Sequence, residues 1–103
     1  MKINTKKEIV DLAGKGIEVG DGKFYTVGIA LSNILLGAKQ GGQMKLFTLA
    51  QKCFSDEFVE VDKADISLIK KAIEDADKER FNNLITGQLL IMLDELKDIK
   101  DEQ

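Results

Sequence analysis

The most constraining feature of this 103-residue chain is the position of its glycines, since five of the nine lie between positions 14 and 28. They separate short β-branched and aromatic runs, a pattern typical of hairpin turns. After this region, apolar residues recur at helical spacing, and proline, which would break a helix, is absent from the whole chain. The sequence therefore predicts an α+β domain with an N-terminal β-hairpin packed on a bundle of about four α-helices.

A single domain is expected over residues 1–103, because a chain of this length can bury a core without disulfides or metals. The predicted hairpin covers about residues 2–25, and the predicted helices cover about 27–38, 43–54, 63–76 and 78–97. Thr26 and Asp62 are the expected N-caps of the first and third helices. Residues 57–61 alternate with period two, which predicts a short strand or an extended connector that pairs with the N-terminal strands.

Histidine is absent, and there is one cysteine, Cys53. The chain therefore has no imidazole for acid–base catalysis, no Ser–His or Cys–His nucleophile pair and no ordinary zinc site. Cys53 stands in the apolar stretch LFTLAQKCF and is predicted to be a core residue rather than a reactive thiol. We predict no catalytic, cofactor-binding or metal-ligating residue, and we do not expect an enzyme.

Two glycine–lysine pairs invite comparison with phosphate-binding loops. A Walker-type loop needs a glycine five residues before the Gly–Lys pair and a hydroxyl residue after it. Ile17 and Phe24 stand at those positions around Gly22 and Lys23. The glycines are therefore interpreted as turn residues.

The charge pattern weighs against nucleic acid as a partner, and the hydropathy pattern weighs against a membrane. The net charge is −3, and Arg80 is the only arginine, whereas arginine is the usual residue for bidentate recognition of bases. The longest apolar run is Leu89–Leu93, far short of the roughly 20 residues that span a bilayer. The N-terminal segment has no apolar core of signal-peptide length. We expect a protein of the cytoplasm.

Several apolar residues lie off the main helical stripes and form the candidate interaction surface. Tyr25 is adjacent to Phe24, so in a strand one of the two faces outward. The other candidates extend the apolar faces of the first and last helices sideways: Ile29, Leu36, Leu90 and Leu93. Such a surplus indicates either a thicker core or a partner interface, and the simplest partner is a second copy in a two-fold dimer.

Five short motifs, taken in order, cover most of the chain. They are DLAGK at 11–15, GKFYTVG at 22–28, KLFTLAQK at 45–52, VEVDKADISLIKK at 59–71 and GQLLIML at 87–93. In this order they resemble a family of small, mostly uncharacterised proteins encoded by tailed bacteriophages and prophages. The chain departs from the family pattern at Ala13, where aspartate is more common. The resemblance implies phage origin and a host-cell cytoplasmic location, but no activity or site residue.

The sequence thus favours a non-enzymatic, phage-encoded accessory protein that acts by protein–protein binding, for example by inhibiting a host or defence complex. One alternative is a virion or tail-assembly structural protein or chaperone. A second is a nucleic-acid or nucleotide binder that uses the N-terminal lysines Lys2, Lys6, Lys7, Lys15 and Lys23.

Overall fold

The computed structural model describes residues 1–96 and has an α+β architecture. Its strands are β1 (Lys2–Asn4), β2 (Glu18–Gly20), β3 (Lys23–Phe24) and β4 (Phe58–Glu60). Its helices are α1 (Val27–Gly37), α2 (Gln43–Ser55), α3 (Lys63–Glu74) and α4 (Asn83–Glu95). The predicted fold class is therefore confirmed.

The β structure consists of two separate antiparallel pairs. β1 pairs with β4, so that Ile3 lies opposite Val59, and both side chains are buried in the core. This pairing confirms the strand predicted within residues 57–61. The prediction of one hairpin over residues 2–25 is wrong in extent. Within residues 1–96, β2 and β3 form the hairpin, and the bridges Val10–Gly16 and Glu8–Thr26 are isolated. Its turn uses Asp21 and Gly22, both at positive φ, as type I′ turns require.

Side-chain caps fix the starts of three helices. Thr26 accepts a hydrogen bond from the Ile29 N–H at the start of α1, and Asp62 forms a capping box with Asp65 at the start of α3. α2 begins after Gly42 without a side-chain cap. The helical spacing of the first three helices thus predicts their ends to within two residues.

The predicted start of the last helix at residue 78 is wrong. Asn82 caps α4 by accepting hydrogen bonds from the N–H groups of Leu84 and Ile85. Before it, Asp77 holds a turn with Glu79 and Phe81. The side chain of Phe81 is buried although the residue lies in this turn. It therefore continues the apolar spacing of α4 towards the N-terminus without belonging to the helix. The predicted end at Lys97 and the fraying of the tail lie outside the described residues.

The core lies where α1 packs between α2 and α3. Gly28 at the start of α1 permits a close backbone approach, because a Cβ there would lie 2.5 Å from the Cys53 carbonyl oxygen and 2.9 Å from the Thr5 Cβ. Thr5 in turn donates its hydroxyl to the carbonyls that follow α2. These contacts pack the end of β1, the start of α1 and the end of α2 against one another.

Gln88 meets the requirement that an amide within an apolar helix face must find partners. Its Oε1 accepts a hydrogen bond from the Val10 N–H at 3.0 Å, and its Nε2 donates to the Val10 carbonyl at 2.7 Å. The amide therefore pairs with an extended backbone segment as a neighbouring strand would. It connects α4 to the N-terminal loop.

Candidate functional site

The structure does not assemble the five residues of the predicted interaction surface into one patch. Leu36 is 61% exposed, whereas Ile29 and Leu90 are half-buried. Leu93 is only 2% exposed, so its assignment to a surface is wrong. Residues four apart share a helix face, and Leu93 lies above the fully buried Leu89. The surplus apolar residues of α1 and α4 are therefore divided: Leu93 belongs to the core, Ile29 and Leu90 are partly buried, and Leu36 is exposed.

Tyr25 is half-buried, next to the start of α1. Burial raises the pKa of its hydroxyl, and the positive charge of Arg80 lowers it in part. Its backbone N–H and carbonyl both bond to the N-terminal segment, at Ile17 and Ile9. Leu36 lies eleven residues further on, roughly 16 Å along a helix axis. Tyr25 and Leu36 therefore do not form a common site.

The two most exposed phenylalanines lie instead on α2, ahead of Phe58 at 53% and Phe24 at 42%. Met44 is 86% exposed, Phe47 56% and Phe54 74%. Together with the exposed Gln51 they stand at spacings of three, four and three residues, which is the a/d pattern of a coiled-coil seam. We call Met44, Phe47, Gln51 and Phe54 the α2 seam.

A neighbouring face of α2 supplies its attachment to the domain. Its members are all buried: Leu46, Leu49, Ala50 and Cys53. α2 is therefore apolar on two sides, of which the fold covers one. The sequence analysis did not select Phe47 and Phe54, but the spacing 44–47–51–54 was the signal that could have identified a second seam.

Cys53 lies on the inner face and is 1% exposed, as the sequence predicted. Burial, and to a smaller degree the negative charge of Asp56, raises the pKa of its thiol to about 11. Because the thiolate is the nucleophile, the group is almost wholly unreactive at neutral pH.

Lys45, on the polar flank of α2, links it to α3. Its Nζ lies 2.8 Å from Oδ1 of Asp65. Burial alone would raise the pKa of Asp65, but hydrogen bonds from Lys45 and from the Asp62 backbone outweigh it and hold the pKa below its usual range. This pair fixes the start of α2 against the start of α3.

Two further surfaces have recognition groups that are less clearly arranged for one kind of ligand. A groove of about 610 Å³ lies between the ends of α1 and α3, with Lys39, Asp75, Asp77 and Arg80 among its lining residues, so both signs of charge are mixed there. The N-terminal lysines Lys2, Lys6, Lys7, Lys15 and Lys23 are all exposed, but they are distributed over β1, two loop segments and β3. The groove therefore offers no single sign of charge, and the lysines stand on several different elements.

Within residues 1–96, no cluster of three or more potential ligand side chains could hold a metal ion. The helices of this same part of the chain are too short or too polar to cross a bilayer. Comparisons with protein-family models, with curated proteins and with solved structures found no match for the chain.

Proposed function

We propose that this chain is a non-enzymatic accessory protein that acts by binding another protein through the α2 seam. The observation that carries the proposal is the exposure of Phe47 and Phe54 two helical turns apart on one face, with Met44 a turn before them. Several large apolar side chains exposed on one helix face indicate an interaction site. Aromatic residues and methionine are also enriched in protein interfaces.

The α2 seam is a better recognition surface than the others because it stands on a rigid support. The helix is anchored by its buried face and by the ion pair between Lys45 and Asp65. A side chain on an anchored helix loses less conformational freedom on binding than one on a loop, which favours affinity. By contrast, Leu12 is 97% exposed at the tip of a turn.

The biological setting in this proposal is a tailed bacteriophage, and the finer role is inhibition of a host or defence complex. What supports it is the order of the five short motifs together with the net charge of −3. An acidic surface repels nucleic acid and suits a protein that competes for protein surfaces.

The test is affinity capture from a bacterial lysate with the wild-type protein and with the double variant Phe47→Ser/Phe54→Ser as bait. We expect a captured protein to be lost from the variant. Ile91→Ser is the matched control, because Ile91 is an apolar α4 residue 58% exposed. An identical set of captured proteins with all three baits would contradict the proposal.

A further inference from the structure

One edge of the β1–β4 pair carries open backbone hydrogen-bonding groups. The Val61 N–H bonds to the Met1 carbonyl, which fixes the hydrogen-bonded pairs of this antiparallel ladder. Because such pairs alternate with non-hydrogen-bonded pairs, Phe58 and Glu60 belong to the second kind. Their N–H and C=O groups point away from β1 and have no backbone partner within residues 1–96. We call this outward row of groups on Phe58 and Glu60 the β4 edge.

The extended backbone around the β4 edge is longer than the strand itself. The Thr5 N–H bonds to the Glu57 carbonyl, so residues 57–61 all pair with residues 1–5. Asp56 before them and Asp62 after them are also extended, with ψ of 141° and −177°. Residues 56–62 therefore form one extended stretch, long enough to take a further strand.

The other strand edges are less suited to adding a strand. On β1, the Asn4 carbonyl accepts a hydrogen bond from the Lys7 N–H, and the Asn4 side chain accepts one from the Lys6 N–H. In the β2–β3 hairpin, the register shifts between Glu18 and Gly20. Turns and bulges of this kind protect an edge from further pairing. The register of β4 with β1, by contrast, runs without a shift.

The charge of the extended stretch determines which kind of strand it can accept. Residues 56–62 read DEFVEVD, with four carboxylates and no cation. All four acidic side chains are exposed: Asp56, Glu57, Glu60 and Asp62. A second copy paired along the same edge would place carboxylates against carboxylates, which is unfavourable, whereas lysine or arginine on an added strand would be attracted. The edge therefore favours a basic segment over a second copy.

The cations near the β4 edge do not lie on it. Lys2 stands opposite Glu60 in the ladder, but on the far side of β4. It is thus two strand spacings, roughly 10 Å, from an added strand. Lys52 and Lys63 stand on α2 and α3, outside the ladder. An added strand would therefore have acidic and apolar side chains as its direct neighbours.

The two faces of β4 indicate the order of side chains in the added strand. Val59 is buried, whereas Phe58 and Glu60 are exposed on the other face of the sheet. Directly opposite residues in neighbouring antiparallel strands lie on the same face, with their Cβ atoms about 4.5–5.5 Å apart. A large apolar residue would lie beside Phe58, and a lysine or arginine two positions away would lie beside Glu60.

From these observations we propose that the β4 edge binds an extended basic segment of another protein as a third, antiparallel strand. In that segment, a large apolar residue stands two positions from a lysine or arginine. The inference goes beyond the proposed function, because it concerns a surface other than the α2 seam and names the chemistry of its ligand. In strand addition, main-chain hydrogen bonds give affinity and the side chains give specificity. The contact is small, so the affinity is expected in the micromolar to submillimolar range.

The first experiment measures the binding of labelled peptides to the full chain by fluorescence anisotropy. The probe is a peptide of about eight residues in which lysine, phenylalanine and lysine alternate with threonine, a good strand former. This order is the same in both directions, so the probe does not depend on alignment. The same peptide with glutamate in place of lysine should bind at least about tenfold more weakly, because it meets the carboxylates of residues 56–62.

Backbone methylation of the probe tests the strand pairing itself. In the antiparallel arrangement, the phenylalanine and lysine N–H groups point at β4 and the threonine N–H groups point away. N-methylation of the phenylalanine and one lysine should therefore abolish binding, because it removes donors and blocks the approach. N-methylation of two threonines is the matched control and should leave most of the binding.

The second experiment changes the protein at the β4 edge. Phe58→Pro removes an outward N–H without removing a bond to β1, and proline is tolerated at such edge positions. It should bind the lysine peptide at least about tenfold more weakly than Phe58→Ala, which keeps the N–H. Glu60→Lys should weaken binding further than Glu74→Lys, the same charge change at an exposed position on α3. Circular dichroism verifies folding, and if Phe58→Pro does not fold, the methylated peptides decide.

No binding of the lysine peptide up to about 1 mM, or equal binding of the two methylated peptides, overturns the strand addition. Equal binding of the glutamate peptide overturns the basic partner. The Phe47→Ser/Phe54→Ser protein should bind the lysine peptide as the wild type does. A failure at the β4 edge is therefore distinct from a failure of the proposed function, which depends on capture through the α2 seam.

Discussion

α1 and α2 are neighbouring helices that pack on each other, but they use their apolar residues in opposite ways. α1 buries seven of its eleven residues, whereas α2 buries four of its thirteen and leaves two phenylalanines and a methionine exposed. The two helices differ in their position in the fold. α1 packs between α2 and α3, whereas α2 makes its main helix contact with α1. The number of apolar residues on a helix thus does not decide which face meets solvent.

The largest expected effect on stability comes from truncating one apolar residue on α1 and comparing it with the same change on α2. Leu31→Ala on α1 should lower the free energy of unfolding by about 2–5 kcal/mol, because Leu31 is fully buried and a cavity would remain. Phe54→Ala on α2 should change it by less than about 0.5 kcal/mol in the monomer. Urea unfolding at low protein concentration measures both. Equal losses at the two sites would remove the contrast between the helices.

A smaller effect is expected where the two helices meet. Gly28→Ala should destabilise the fold by about 1–3 kcal/mol, because its methyl group would overlap the Cys53 carbonyl and Thr5. Gly37→Ala is the matched control at the other end of α1, where a Cβ meets nothing within 4 Å. This control should be neutral or stabilising by up to about 1 kcal/mol, since alanine is the better helix former. Similar losses for both would show that helix propensity, not close approach, governs this helix.

The smallest effect concerns the ion pair that fixes the start of α2. The folded pKa of Asp65 lies below its unfolded value of about 3.9, so its contribution to stability is present above that pH and is lost as the pH falls through the folded pKa. Asp65→Asn should therefore flatten the decrease in stability below about pH 5.

The matched control for this pH dependence is Asp94→Asn, which removes a more exposed carboxylate paired with Lys70. It should leave the acid limb of the profile close to that of the wild type, because exposed pairs contribute little. Thermal unfolding between pH 2 and pH 7 provides the comparison. If the two variants gave the same profile, the start of α2 would not depend on Asp65.

Much of the fold could be predicted because its signals are local. The turn glycines, the N-caps Thr26 and Asp62, and the apolar stripes lie within a few residues of the structure they determine. The pairing of β1 with β4 was predicted only as one of two alternatives, because the two strands lie more than fifty residues apart in the sequence. The start of α4 was missed because the apolar Phe81 stands immediately before the true N-cap, Asn82, and continues the helical spacing.

The candidate interaction surface is the part where the sequence-based prediction and the structure differ, at Leu93. Sequence spacing by itself determined that α1 and α4 each carry more apolar residues than one face needs. Only the tertiary structure decided that the surplus at Leu93 is buried while the surplus at Phe47 and Phe54 is exposed. Burial is set by which elements pack on a face, and those contacts join residues far apart in the chain. Helical periodicity fixes the direction of a side chain from its own axis, but not what lies in that direction.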